Sequence, residues 1–308
     1  MPFFLNRFGR GSIRLYDWRQ SAEESESESK LMKLKTFVLT ALLLGAMQPC
    51  AAQDEERALT KNTIYLKFHS AITERDHAMV VMLPPGYDDH PEKRYPVLYM
   101  HDGQQVFVVW RLDELGKTLV EAGQASPIII VAIYNGDTQE SRLEDYTPTH
   151  VARAAKSGNA DRYGRLIREE IKPAIDKEFR TLPDPANTAI GGASLGGLAS
   201  IYLALKNPDT FGKVAVMSPS VWWDDQVIVR EVKKLSLKPS LRIWLDVGTE
   251  EGSQRIPETK ALRDALLKKG WQIDSDLKYF EAKGAEHNDK AFARRSPEML
   301  KFLFPPQP

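Results

Sequence analysis

The run Gly191-Gly192-Ala193-Ser194-Leu195-Gly196-Gly197 constrains this chain more than any other stretch. It contains Gly-x-Ser-x-Gly, with an apolar strand end over 186–190 before it and a helix-forming run over 195–205 after it. A strand that turns at once into a helix needs a sharp bend. Glycines two residues either side of the serine remove side chains that would collide with the strand or the helix. The bend lifts a hydroxyl clear of the backbone. A serine hydroxyl is a weak nucleophile in water and becomes a useful one beside a base and preorganised amide donors. The same glycines do not form a phosphate cradle, because no Lys-Ser/Thr follows them.

The 308 residues hold 42 basic and 42 acidic side chains, so the formal charge is zero. That gives no electrostatic case for nucleic acid or for an anionic membrane surface. A hydrophobic fraction of 42% supports an ordinary buried core. The single cysteine, Cys50, leaves no intramolecular disulfide and no cysteine metal cluster. The histidines are too dispersed for a short ligand motif, and neither a metal nor a cofactor is expected.

Residues 32–52 read as a signal peptide: Lys33 and Lys35, an apolar run over 37–46, then Cys50-Ala51-Ala52 before Gln53. The apolar run is about half the ~20 residues that a spanning helix needs, so no stable membrane anchor is expected. Pro49 argues against lipid attachment at Cys50. The expected location is periplasmic or secreted. Residues 1–31, with the polar run over 21–29, are expected to form a disordered extension, and translation is expected to begin at Met32. Residues 53–308 then form one domain.

In that domain strand-like and helix-like runs alternate without an internal repeat. Strands are expected over 62–68, 78–83, 95–100, 127–133, 213–217, 241–247 and 276–280, and helices over 257–269 and 289–304. Tyr163, Ile167, Ile171, Ile175 and Phe179 recur every four residues and predict a long helix, with Pro173 as a candidate kink. Alternation of this kind predicts an α/β fold: a mostly parallel central sheet with helices on both faces. Chemistry in such a sheet gathers at the carboxyl ends of the strands.

The base for Ser194 is expected on a loop after the last strand. His287 is the one histidine downstream of the serine, and it lies between the strand over 276–280 and the final helix. The acid is expected after the strand over 241–247, where Asp246, Glu250 and Glu251 compete; two of the three are expected to be solvated charge. Oxyanion donors are expected from the backbone N–H of Leu195 and from that of Gln104, exposed by a turn at Gly103. His101 and Asp102 are expected to stabilise that turn.

Tyr99-Met100-His101-Asp102-Gly103-Gln104, the serine bend, Met217-Ser218-Pro219-Ser220-Val221-Trp222-Trp223, Gly248-Thr249-Glu250-Glu251 and Gly284-Ala285-Glu286-His287 together resemble the putative-esterase (esterase D-like) family. Siderophore esterases of the enterobactin type, feruloyl and acetyl esterases and mycolyltransferases belong to it. The resemblance covers roughly residues 60–305. It implies an α/β-hydrolase fold and a Ser–Asp/Glu–His triad, and its Gly-Thr-x-Asp/Glu loop places the acid at Glu251 rather than Glu250. This chain has Glu where relatives often have Asp.

Arg142-Leu143-Glu144-Asp145-Tyr146-Thr147-Pro148 resembles the family's Arg-x-x-x-Tyr-Thr-Pro segment beside the substrate pocket of siderophore esterases. Arg142 then either engages an anionic or catecholate substrate or forms a salt bridge with Glu144 or Asp145. Trp222, Trp223 and Trp110 are candidates for an aromatic cleft, at least one of them being core, and Trp244 is read as core.

The leading expectation is a serine carboxylic-ester hydrolase that acts on a small-molecule ester through an acyl-enzyme. An acyltransferase to a sugar or other alcohol, or an inert binding protein of the same fold, are the alternatives.

Overall fold

Strands with no polar residue on either face end up inside the sheet, and this chain has several. The computed structural model describes residues 13–15, 57–136 and 138–306. The leader expected over 32–52 lies outside the described residues, as does the extension over 1–31 except for 13–15. That exception is β1 (Ile13–Leu15), which pairs antiparallel with β2 (Thr63–Ser70) although the composition of the extension predicts disorder. β2 pairs antiparallel with β3 (Arg75–Met82).

The chain then runs through β4 (Val97–Met100), α1 (Gly103–Val108), α2 (Leu112–Glu121) and β5 (Ile129–Ile133). α3 (Gln139–Tyr146), α4 (Ala160–Arg165) and α5 (Lys172–Glu178) follow, then β6 (Thr188–Ala193) and α6 (Leu195–Lys206). The last elements are β7 (Lys213–Met217), α7 (Val227–Lys234), β8 (Arg242–Gly248), α8 (Arg255–Lys268), β9 (Leu277–Ala282) and α9 (Asp289–Leu303). The strand order is β1-β2-β3-β5-β4-β6-β7-β8-β9. From β5 to β9 every pairing is parallel. The expected architecture, a mostly parallel sheet covered by helices, is present.

Alternation along the inner strands divides the core into two layers. Val97 and Tyr99 of β4 and Ile129, Val131 and Ile133 of β5 face the layer built by α3 to α8. Leu98, Met100, Ile130 and Ala132 face the layer built by α1, α2 and α9.

The four-residue stripe predicted as one helix is two helices joined by a π-turn over Leu166–Ile171. A spacing of four drifts around an ideal α-helix of 3.6 residues per turn; the wider turn takes up the drift and keeps Tyr163, Ile167, Ile171 and Ile175 buried. Pro173, in the first turn of α5, has no N–H to give the Glu169 carbonyl.

The order reverses between β4 and β6. After β4 the chain moves to β5 on one side, and after β6 it moves to β7 on the other. Such a reversal point, at the carboxyl ends of two neighbouring strands, is where open α/β sheets bind ligands.

Candidate active site

Ser194 sits where β6 ends and α6 begins, with φ 60° and ψ −120°. A non-glycine residue there stores roughly 1–3 kcal/mol of backbone strain. Three hydrogen bonds hold the bend: Ser194 N–H to the Met217 carbonyl at 3.0 Å, and Ser220 N–H and Leu198 N–H to the Ser194 carbonyl at 3.0 and 3.1 Å. The two flanking glycines of the motif meet each other. A Cβ on Gly192 would stand 2.9 Å from the Gly196 carbonyl carbon, so the strand and helix can close only without side chains at this point.

His287 lies on the loop between β9 and α9, and two loops laced together place it. Glu250 N–H donates to the Ala285 carbonyl at 2.9 Å, and Gly284 N–H donates to Thr249 Oγ1 at 2.8 Å. The Phe292 ring supports the imidazole edge-on at 5.2 Å between centroids. His287 Nε2 is 3.0 Å from Ser194 Oγ, and Nδ1 is 2.8 Å from Glu251 Oε2. A carboxylate only accepts, so Nδ1 carries the proton and Nε2 is free to accept from the serine hydroxyl.

Among the three competing carboxylates, Glu251 is the one against His287. Its side chain has no exposed surface. Burial raises its pKa, but hydrogen bonds from His287, Ser218 Oγ and the Gly248 N–H outweigh this and hold the carboxyl below its ordinary value. Glu250, by contrast, is exposed. Asp246 is not the solvated charge expected of a losing candidate. It is buried, accepts from Trp244 Nε1 at 2.7 Å and Ser218 N–H at 3.1 Å, and burial pushes its pKa up to about 6.

Leu195 N–H and Gln104 N–H both belong to first turns, of α6 and α1, where backbone donors lack intrahelical partners. Gly103 lets α1 begin tight against β5: a Cβ there would stand 2.4 Å from the Ala132 carbonyl oxygen. The Gln104 side chain is occupied, since its Nε2 donates to Asn135 Oδ1 at 2.9 Å. Its main-chain amide is therefore the Gln104 group that remains a candidate oxyanion donor.

Asp102 shapes this turn, with φ 54°. Arg142 grips it through Nε to Oδ1 and Nη2 to Oδ2, both at 2.7 Å, while Asn135 Nδ2 donates to Oδ1 at 2.6 Å. Arg142 is therefore in a salt bridge, but with Asp102 rather than with Glu144 or Asp145; Asp145 pairs instead with Arg75. Its bidentate donors are already used, which corrects its expected place on the substrate. Tyr146 is corrected likewise. It is fully buried and its hydroxyl accepts from Asp102 N–H at 3.1 Å. His101 is buried beneath the same turn, near Tyr163 Oη at 3.0 Å, and burial lowers its pKa to about 4, so it is neutral.

Of the tryptophans, Trp223 is buried with its Nε1 on Thr149, Trp110 is buried with its Nε1 on Asp289, and Trp244 is core. Trp223 is thus withdrawn from the expected cleft. Trp222 is half-buried, two residues after Ser220, whose Oγ is 3.4 Å from Ser194 Oγ. The guanidinium groups of Arg153 and Arg255 lie 5.5 and 5.8 Å from the Trp222 ring. Sequence reading assigned no role to Ser218, Asn135 or Arg295. Each acts through a contact distant in the chain, and local pattern carries no signal for those.

A protein-family model described as putative esterase matches residues 70–302. The chain is 28% identical over 235 residues to the Bacillus subtilis protein YbbA, covering 72% of this chain and 90% of that one. It is 32% identical over 205 residues to the iron(III) enterobactin esterase of Dickeya dadantii, covering 61% of this chain and 44% of that one. The crystal structure of the BES protein from Bacillus cereus superposes with a TM-score of 0.68 at 25% identity, covering 81% of this chain and 97% of that one.

Proposed function

This chain belongs to the putative esterase family and is a carboxylic-ester hydrolase, and on that premise we propose that Ser194, His287 and Glu251 carry the reaction. The reading rests on one observation: a single imidazole engaged on one side by a buried carboxylate and on the other by a hydroxyl raised on a strained bend. His287 Nε2 takes the proton as Ser194 Oγ bonds to the ester carbonyl carbon. The negative charge that develops on the carbonyl oxygen is held by the amides of Leu195 and Gln104. Collapse breaks the bond to the alcohol, which leaves with the proton from His287. Water then attacks the acyl-enzyme, with His287 again as base, and the acid is released. Glu251 keeps the proton on Nδ1 and stabilises the imidazolium that forms in both steps.

The proposed substrate is a small-molecule ester with an aromatic acyl or alcohol part, packed on Trp222 and drawn by the cations beside it. The enterobactin esterase relative is consistent with this. The leader over 32–52 supports export. Among the described residues no helix is long and apolar enough to cross a membrane.

A panel of siderophore, feruloyl, acetyl-sugar and p-nitrophenyl esters tests the substrate. Trp222→Ala is expected to lower kcat/KM for an aromatic acyl ester about tenfold, since an aromatic contact contributes about 0.5–1.5 kcal/mol beyond area burial. It should leave ethyl acetate, which has no aromatic part on either side of the ester, within about threefold. Equal losses on both esters would remove Trp222 from the substrate site.

A further inference from the structure

We propose that Arg295 is a positioning residue for ester hydrolysis: it fixes the Glu251 carboxylate against His287, with Ser218 as the hydroxyl that joins the two. The inference rests on the proposed triad and adds to it the group that orients its acid.

Arg295 lies on α9, two turns beyond His287, and is 4% exposed. Its Nη1 and Nη2 stand 3.2 and 3.3 Å from Glu251 Oε1, and Nη2 donates to Ser218 Oγ at 2.9 Å. Ser218 Oγ in turn donates to Glu251 Oε1 at 2.5 Å, and Gly248 N–H donates to the same oxygen at 2.7 Å. One oxygen of the carboxylate is thus held by guanidinium, hydroxyl and amide. Among the described residues, the other meets His287 Nδ1 alone. A carboxylate pinned this way cannot rotate about its terminal bond, so Oε2 is aimed before substrate arrives.

The charge arrangement requires the guanidinium. Asp246 and Glu251 each have no exposed side-chain surface, and Arg295 Nη1 is also 3.3 Å from Asp246 Oδ1. Two buried carboxylates this close ionise together only with a shared cation. The charged groups facing the cluster are Asp246 from β8, Glu251 from the loop after it and His287 from the loop before α9. On α9 itself Asp289 is engaged by Trp110, while Arg294 and Glu298 are exposed. Ser218, with φ 40°, is kept in place by bonds from its N–H to Asp246 Oδ1 at 3.1 Å and to the Asp246 carbonyl at 3.0 Å. Asp246, Ser218, Arg295 and Glu251 thus form one chain of contacts ending at the imidazole.

Arg295→Met and Arg295→Lys, normalised to sites titrated with a fluorophosphonate and set beside Ser194→Ala at equal protein concentration, test the inference. Arg295→Met is expected to lower kcat per titrated site about 100-fold, as misplacement of a catalytic group does. KM should stay within about twofold, because Arg295 touches the carboxylate and not the substrate. Arg295→Lys, which keeps the charge without the fork, should recover kcat only in part. If Arg295→Met does not fold, Asp246→Asn/Arg295→Met, which carries no unpaired buried charge from this pair, is read for kcat. A dead Ser194→Ala beside an Arg295→Met enzyme with wild-type kcat would overturn the inference alone. A Ser194→Ala enzyme that keeps its activity would overturn the triad and the inference with it.

Discussion

Ser194→Ala is expected to lower kcat/KM for a p-nitrophenyl ester by about a million-fold, or about 8 kcal/mol of transition-state stabilisation. The residual rate over the uncatalysed reaction, about a thousand- to ten-thousand-fold, is what the amides of Leu195 and Gln104 can supply without a nucleophile. The fold should persist, because alanine occupies the φ 60° bend no worse than serine does and the three backbone bonds that hold the bend remain. Ser194→Gly separates the two properties further. Glycine adopts this conformation without strain, so that variant should be equally inactive yet melt at a higher temperature than wild type. Thermal unfolding and ester hydrolysis on the same preparations check both points. A variant that loses activity and folding together would show that the hydroxyl had not been isolated.

Glu251→Gln is expected to cost about a thousand- to ten-thousand-fold in kcat, and Glu250→Gln less than about twofold. The neighbours differ in geometry rather than chemistry. Glu251 Oε2 is 2.8 Å from His287 Nδ1 and its side chain has no exposed surface, whereas Glu250 faces solvent. A glutamine at 251 presents either an amide that repels the Nδ1 proton or a neutral oxygen that stabilises the imidazolium poorly. Either way the ring favours the wrong tautomer or loses its counter-charge. The hydrogen-bonded Glu251 carboxylate has its pKa below the ordinary value. It stays ionised as pH falls from 8 toward 5, so protonation of Glu251 does not limit activity in that range. Similar losses in the two glutamine variants would reassign the acid.

Much of the fold was legible in the sequence because inner strands are apolar on both faces: the predicted 213–217 matches β7, and the other parallel strands shift by a few residues at most. Four helices were not revealed by local pattern. Three of them, α1, α2 and α7, begin at the left-handed residues Asp102, Arg111 and Gln226, without the side-chain cap that marks a helix start. The fourth, α3, is capped by Thr138 and Ser141, but its polar sequence shows no apolar period. At the site, Ser194, His287 and Glu251 stood on recognisable turns. The partners of Arg142 and Glu251 did not, because Asp102 and Arg295 lie 40 and 44 residues away and meet them only after the sheet has formed. Tyr146 and Trp223, expected at the substrate, are buried, and local pattern does not show burial that depends on that same packing.

The most direct measurement is to react the protein with a stoichiometric fluorophosphonate, follow hydrolysis, and locate the adduct by peptide mass spectrometry. One phosphonyl group on Ser194, accumulating in step with complete loss of activity, is the predicted result. Activity that survives full labelling, or an adduct on Ser218 or Ser220 in place of Ser194, would contradict it.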